Sequence, residues 1–169
     1  MRIVTLAAAI AALAVVAHAA TPAKPPAART PAAKPFDVRD PAALMSLLQT
    51  MGAKAEIART EATVVVLDIT TPGGDFGAQY IDCDAKGQAC RALIFSTAFA
   101  AKAVSLARIN AFNKGQVACR AFIADDGKPN IAYATLVNLR MTAEEVKQHV
   151  GVWQGCLATF AEFTKQAGD

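Results

Sequence analysis

The sequence contains little histidine and serine, and this scarcity limits the chemistry that the chain can perform. The 2 histidines among 169 residues are His18 and His149, and His18 lies in the N-terminal segment that we expect to be removed, so the mature chain cannot build a multi-histidine metal site. Ser46, Ser96 and Ser105 all lie outside a Gly-x-Ser-x-Gly turn of the serine hydrolase type. No Gly-rich phosphate loop follows a predicted strand. We therefore expect no catalytic residue, no metal and no cofactor.

A strong excess of positive charge is also missing. The chain has 17 Lys and Arg against 14 Asp and Glu. Four of the basic residues precede residue 36, which leaves 13 basic and 14 acidic residues from Asp37 to Asp169. Because nucleic acid binding requires a basic face that displaces phosphate counterions, we exclude nucleic acid as a partner. The length fits one compact domain.

The apolar run at the N-terminus is too short for a membrane-spanning helix. It covers residues 3–16, follows a positive start and precedes the small residues Ala17 and Ala19, which suit a signal peptidase. A spanning helix needs about 20 apolar residues. We therefore expect a signal peptide over residues 1–19 with cleavage after Ala19, a periplasmic or secreted location, and no stable membrane span in the mature protein.

Proline and alanine dominate residues 20–36. This composition buries little apolar surface and favours extended conformations, so we expect a disordered leader here and a folded domain over residues 37–169. The leader is either an inert linker or a spacer whose cations contact anionic polymers of the envelope.

The pattern of the remaining chain predicts an α+β domain. Asp40 and Pro41, followed by apolar residues at helical spacing and by Gly52, predict the first helix. Ser105 caps a short second helix, and a capping box begins a long third one. The predicted order is α-β-β-β-β-α-β-β-α, with helices packed on a curved antiparallel sheet. The predicted strands cover residues 54–59, 63–70, 75–83, 90–99, 116–124 and 130–139.

The 4 cysteines all follow the expected signal peptide. In an exported chain they predict disulfides, and four thiols allow three connectivities. Neither a Cys-x-x-Cys pair nor a zinc-type pair of doublets occurs, which disfavours redox catalysis and a metal site. If Cys83 lies opposite Cys90, then Asp82 lies opposite Arg91 and Tyr80 lies opposite Leu93. This register also places aromatic and apolar residues on one face of the sheet. This register favours a Cys83–Cys90 bond.

The second hairpin suggests the other bond. A two-residue turn at Asp126-Gly127 predicts a face of small residues that a helix can approach closely. The last helix carries Gly151 and Gly155 beside Cys156, and close packing would offset the cost of helical glycine, about 1 kcal/mol each. We therefore predict a Cys119–Cys156 bond. The predicted small face consists of Val117, Cys119, Ala121, Ala132 and Ala134.

Two asparagines on the short helix, Asn110 and Asn113, are the candidate binding residues. Asparagine is mildly unfavourable inside a helix, so it usually has a hydrogen-bonding task. That task is either to satisfy backbone groups of a strand or loop, or to contact a partner or ligand. Phe112 and Tyr80 complete the candidate set.

Three segments of the chain together resemble the YbjN family of bacterial proteins, over about residues 42–165. They are Cys83 to Phe95, Ile109-Asn110-Ala111-Phe112-Asn113, and Arg120-Ala121-Phe122-Ile123 before Asp125-Asp126-Gly127. The resemblance implies a fold similar to the dimeric chaperones of type III secretion. It also implies a sensory-transduction or stress-associated regulator without established catalytic residues. The signal peptide, the leader and the four cysteines distinguish this chain from cytoplasmic members.

The leading hypothesis is a non-enzymatic periplasmic module, chaperone-like or adaptor, that binds another polypeptide of the envelope through an exposed sheet face or edge. The alternative is a small-ligand sensor with a pocket between the sheet and the short helix, around Tyr80, Phe95 and Phe112. A hydrolase of unfamiliar type is the third hypothesis. The family resemblance and the glycines of the last helix suggest a homodimer, with a monomer as the alternative.

Overall fold

The computed structural model describes residues 35–100 and 104–166, so the expected signal peptide and nearly all of the expected leader lie outside the described residues. Within these residues, helices and strands follow the predicted order α-β-β-β-β-α-β-β-α, which confirms the α+β class. The elements are α1 (Pro41–Thr50), β1 (Lys54–Glu61), β2 (Val64–Thr71), β3 (Gly74–Ile81), β4 (Ala92–Ala98), α2 (Leu106–Gly115), β5 (Arg120–Ile123), β6 (Pro129–Leu136) and α3 (Ala143–Lys165).

The strands form one open antiparallel sheet in the order β1-β2-β3-β4-β6-β5. The first four strands are consecutive hairpins, as predicted. After β4 the chain forms α2 and then the β5–β6 hairpin. Strand β6 pairs with β4, and β5 pairs with the other side of β6. The two edges of the sheet are therefore β1 and β5.

Side-chain caps begin each helix where the sequence predicts. Asp40 Oδ1 accepts a hydrogen bond from the Ala42 N–H at 3.0 Å, with Pro41 in the first turn of α1. Ser105 caps α2 in the same way. Thr142 and Glu145 form the predicted capping box of α3. These caps satisfy backbone groups that each helix would otherwise leave unpaired.

The hydrophobic core lies on one face of the sheet, under all three helices. Along β2, buried Val65 and Leu67 alternate with partly exposed neighbours. Trp153 of α3 is completely buried and contacts Phe76 and Phe95, with ring centroids 5.6 and 6.0 Å away. Phe36, the last residue of the expected leader, packs against this core.

The predicted register of the β3–β4 hairpin is correct. Tyr80 lies opposite Leu93, and Cys83 is bonded to Cys90 just beyond the paired strands. The loop that this disulfide closes is attached to the segment before α1, because the Cys90 N–H donates to the Arg39 carbonyl at 3.1 Å. The disulfide therefore lies where the end of the β3–β4 hairpin contacts the segment before α1.

The predicted register of the β5–β6 hairpin is wrong by one residue. The loop contains residues 125–127 and is closed by a hydrogen bond from the Ala124 N–H to the Lys128 carbonyl at 3.0 Å. Gly127 has a φ of 79° and Asp126 does not have a positive φ, which fits a three-residue loop rather than the predicted two-residue turn. A shift of one residue reverses the faces of a strand, so Ala132 and Ala134 lie on the face away from the core.

The prediction that the glycines of α3 pack closely against the sheet is also wrong. Gly151 and Gly155 are exposed, and a Cβ atom added to either would meet nothing within 4 Å. The structure nevertheless pairs Cys119 with Cys156, as predicted, because Cys119 precedes β5 on the core side and Cys156 lies on the buried face of α3. The pairing agrees with the prediction although the packing argument behind it fails.

Candidate functional site

The residues predicted to bind a partner or ligand do not lie on one surface. Tyr80 is completely buried in the core. Phe112 is buried against Phe160, with ring centroids 5.1 Å apart, whereas Asn110 is exposed on α2. Asn113 contacts the edge of the sheet. The structure thus brings Phe112 and Asn113 onto the inner side of α2 and separates them from Tyr80.

The predicted pocket between the sheet and the short helix is filled by core side chains. Tyr80 and Phe95 have 0% exposed surface, and Phe95 packs on Trp153 and on Tyr133 at ring distances of 6.0 and 6.5 Å. Phe112 belongs to a separate group of rings around α3. Tyr80, Phe95 and Phe112 thus belong to the core, and the structure does not bring the three rings together as the lining of one pocket.

A cleft of about 660 Å³ lies instead between the β2–β3 turn, the end of β4 and α3. Phe76, Leu48 and Leu157 contribute apolar surface, and Asp75 and Gln154 are exposed polar residues of its lining. Its volume is in the range of small-molecule sites. Sequence reasoning missed this cleft because its walls come from four elements that are distant in the chain.

The second face of the sheet carries no helix among the described residues. The strand register places Val66, Gln79 and Ile94 side by side across β2, β3 and β4 on this face. The adjacent row is entirely apolar. We call this half-buried surface the apolar band: Val64, Ile81 and Ala92 in one row, and Val66, Gln79 and Ile94 in the next.

Charged residues border the apolar band at two of its ends. On β1, Arg59 and Glu61 lie opposite the valines of β2, with 3.5 Å between the guanidinium and the carboxylate. At the end of the β3–β4 hairpin, Arg91 lies 3.4 Å from Asp82, which is the predicted ion pair. An apolar centre with a charged rim is the typical organisation of a protein–protein interface.

Asn113 occupies the β5 edge of the sheet. Its Nδ2 donates to the Ala121 carbonyl at 3.0 Å, and its Oδ1 accepts from the Ala121 N–H at 2.8 Å. These are the backbone groups that an added strand would use. Two tasks were considered for Asn113. In the structure it performs the first of them, because its side chain forms hydrogen bonds with the backbone of a strand.

The opposite edge, β1, carries a different protection against strand addition. Its exposed side chains include Lys54, Glu56, Arg59 and Glu61. The pairing with β2 shifts between Ile57 and Arg59, which marks a β-bulge. Charges and bulges on an edge strand both disfavour pairing with another chain.

The titratable groups show structural roles. His149 Nδ1 lies 2.5 Å from the Tyr133 hydroxyl, so the half-buried histidine joins α3 to the sheet. Burial raises the pKa of Tyr133 and, more strongly, of Tyr80. Hydrogen bonds from Thr142 lower the pKa of Glu145 within the capping box. Within residues 35–100 and 104–166, no group of three or more His, Cys, Asp or Glu residues is placed to hold a metal ion.

A protein-family model described as "Putative bacterial sensory transduction regulator" matches residues 40–164, from the N-cap of α1 to the last turn of α3. The chain belongs to the YbjN family. No curated protein and no solved structure matches it. The similarity to type III secretion chaperones, which the family resemblance implies, therefore stays a prediction.

Membership of the YbjN family assigns the protein to a group of regulators and names no reaction or substrate. Among the described helices, none combines the length and the apolar character needed to cross a membrane. Two surfaces of the described YbjN domain are open to other molecules, the apolar band and the cleft. Sequence reasoning missed the band, although the continuous run Val64–Leu67 is the signal of a strand with two apolar faces.

Proposed function

We propose that this YbjN protein is an exported, non-enzymatic regulatory module, of adaptor or chaperone-like kind, that binds another polypeptide of the cell envelope. The binding surface is the apolar band. The observation that carries the proposal is this band itself, which occupies two adjacent rows across three strands on the face that no described helix covers. A contiguous group of half-buried apolar residues bordered by charges is typical of an interaction site.

The charged rim specifies what the partner must offer. A binding segment needs apolar side chains that cover Val66, Ile81 and Ile94, and polar groups at its ends that meet the ion pairs on β1 and on the β3–β4 hairpin. Export is supported by the signal-like N-terminus and by the two disulfides, which suit an oxidising compartment.

A site-specific photo-crosslink tests the proposal. Gln79 lies in the middle of the band and is polar, so an aryl-ketone amino acid can replace it without removing an apolar contact. Thr70 lies on the same face in its polar half and is the matched control position. In cells that export the full chain, we expect a discrete crosslinked polypeptide from position 79 and not from position 70.

A pair of substitutions on β4 then identifies the contact. Ile94→Asp introduces a charge into the band, whereas Ser96→Asp introduces the same charge one row away on the same strand and face. We expect Ile94→Asp to abolish the crosslink from position 79, and Ser96→Asp to preserve it, with both variants folded by circular dichroism. Equal crosslinking from positions 70 and 79, or insensitivity to Ile94→Asp, would contradict the proposal.

The cleft supports a second candidate function, a small-ligand sensor. A ligand that binds only the folded state stabilises it by RT ln(1 + [L]/Kd), so the melting temperature rises with ligand concentration. Ala158→Phe would place a ring in the cleft lining, and Ala107→Phe would place the same ring on the exposed part of α2 as a control. A metabolite that raises the melting temperature of the wild type and of Ala107→Phe, but not of Ala158→Phe, would establish this function.

A further inference from the structure

The cleft beside α3 has a floor and a wall that the core holds in place. Phe76 forms part of the floor, and its ring packs against that of Trp153 with 5.6 Å between centroids. Phe99 forms part of a wall. Its ring contacts that of Phe160 at 5.1 Å, and its N–H donates to the Pro129 carbonyl at 2.9 Å. Both surfaces are therefore formed before a ligand arrives, as in most small-molecule sites.

The lining of the cleft directs no described charge towards a ligand. Asp75 is the one charged residue among the described lining residues. It is paired with Thr70, so its carboxylate lies on the outer face of the sheet, whereas Phe76 faces the core and α3. An ion that entered the cleft would lose hydration without meeting an opposite charge there, which is unfavourable.

One polar side chain of the lining remains for a ligand. The Thr71 hydroxyl donates to the Gly74 carbonyl at 2.8 Å, and the Thr97 hydroxyl donates to the Asp75 carbonyl at 3.2 Å. The carboxamide of Gln154, in contrast, makes no hydrogen bond with the described residues. A carboxamide both donates and accepts, so Gln154 can pair with a hydroxyl or a carbonyl group.

We propose that the cleft binds an uncharged, largely apolar small molecule that carries one hydroxyl or carbonyl group, as aliphatic alcohols and esters do. Its apolar body lies against Phe76, Leu157 and Met51, and its polar group pairs with the Gln154 carboxamide. Met51 is 40% exposed and unbranched, so its side chain adapts to the shape of the ligand. The volume of about 660 Å³ suits one ligand of this kind.

The same lining disfavours a polypeptide segment as the occupant. Every residue of a peptide other than proline brings one N–H and one carbonyl group that need partners when they are buried. Among the described lining side chains, Gln154 alone offers such a partner without giving up a hydrogen bond. The proposal rests on the second candidate function and names its ligand class, and it leaves the apolar band on the other face of the sheet to the polypeptide partner.

Three probes with the same decyl chain test the selectivity for an uncharged ligand. Decanol is neutral, decanoate is an anion and decyltrimethylammonium is a cation. By isothermal titration calorimetry of the exported mature protein, we expect decanol to bind with a dissociation constant at least about tenfold lower than that of either ion. Ala158→Phe should abolish this binding. Ala107→Phe on the exposed part of α2 and Ile94→Asp in the apolar band should preserve it.

A charge introduced at the polar group tests how the ligand is oriented. Gln154→Lys places a cation where the polar group of the ligand lies, whereas Gln148→Lys makes the same change on an exposed position of α3 outside the cleft lining. We expect Gln154→Lys to bind decanoate more tightly than decanol. Gln148→Lys should keep the wild-type order of the three probes.

The outcomes separate the ligand class from the ligand function. Ions that bind as tightly as decanol, or an order of probes that Gln154→Lys does not change, would overturn the proposed class. A metabolite that raises the melting temperature through the cleft while decanol does not bind would overturn the class and leave the sensor function standing. If neither the metabolites nor the decyl probes bind in a manner that Ala158→Phe abolishes, both the class and the second candidate function are wrong.

Discussion

Asn113 offers a quantitative test of how the sheet is closed at β5. Asn113→Ala removes both hydrogen bonds to Ala121, a residue that is 5% exposed, and leaves its N–H and carbonyl without partners. Each unsatisfied buried group costs about 1 to 3 kcal/mol. Alanine is the better helix former by roughly 0.5 kcal/mol, which offsets a small part of this cost. We therefore expect the free energy of unfolding to fall by roughly 1.5 to 5.5 kcal/mol, or the melting temperature by roughly 6 to 22 °C at about 4 °C per kcal/mol.

Asn110→Ala is the matched control, because it changes the same residue type on the exposed side of the same helix. There we expect stabilisation by roughly 0.5 kcal/mol, from helix propensity alone. Urea unfolding of both variants measures the difference, and native-state hydrogen exchange should show lost protection at the Ala121 amide in Asn113→Ala only. If Asn113→Ala is as stable as Asn110→Ala, the edge-closing role is wrong. If it instead weakens partner binding at unchanged stability, Asn113 is a contact residue.

Three further predictions follow from burial. Gly151→Ala and Gly155→Ala should each stabilise the protein by up to about 1 kcal/mol in thermal unfolding, because both glycines are helical and exposed with open space around them; a loss of stability would mean that their backbone is tightly packed. Replacing Cys119 and Cys156 together by alanine should lower the free energy of unfolding by roughly 2 to 4 kcal/mol in urea titration, and an unchanged midpoint would refute the bond. Burial raises the pKa of Tyr80, so its contribution to stability is fully present below the unfolded-state pKa of about 10 and is lost as the pH rises above it. Tyr80→Phe should remove that alkaline loss and raise stability by about 1 kcal/mol, since the hydroxyl makes no hydrogen bond to the described residues; an alkaline limb identical to that of the wild type would contradict this.

The fold was predictable wherever one arrangement satisfied several constraints at once. In the β3–β4 hairpin, a single register joins Cys83 to Cys90 and places Tyr80 beside Leu93, so a shift would break both. In the β5–β6 hairpin, Asp126-Gly127 fits a two-residue turn and a three-residue loop equally well. In the predicted register, Ala121, Ala132 and Ala134 share one face. Small apolar residues are acceptable on either face of the sheet, so this pattern did not reveal that the predicted register was wrong.

The candidate site was less predictable, because its features depend on which face of the sheet the helices cover. The run from Val64 to Leu67 shows that both faces of β2 are apolar, but it does not tell which face lies under α3. The cleft is invisible for the same reason, since Phe76 and Leu157 meet only after the sheet and α3 are assembled. Asn113 was recognisable as a residue with a hydrogen-bonding task, although its partner depends on the position of β5.

A regulator that binds a partner through a sheet face needs contacts that stabilise the sheet, and these contacts can lie outside the binding surface. Here Asn113, the Cys119–Cys156 bond and the Cys83–Cys90 bond fix three positions around the sheet, and none of them lies in the apolar band. Changes at these positions should therefore alter binding only in proportion to lost stability. Ile94→Asp, in contrast, should lower binding by more than its loss of stability explains, because it also places a charge inside the apolar band. A variant series in which binding follows stability at every position, including residue 94, would contradict the separation between the surface that binds and the contacts that support it.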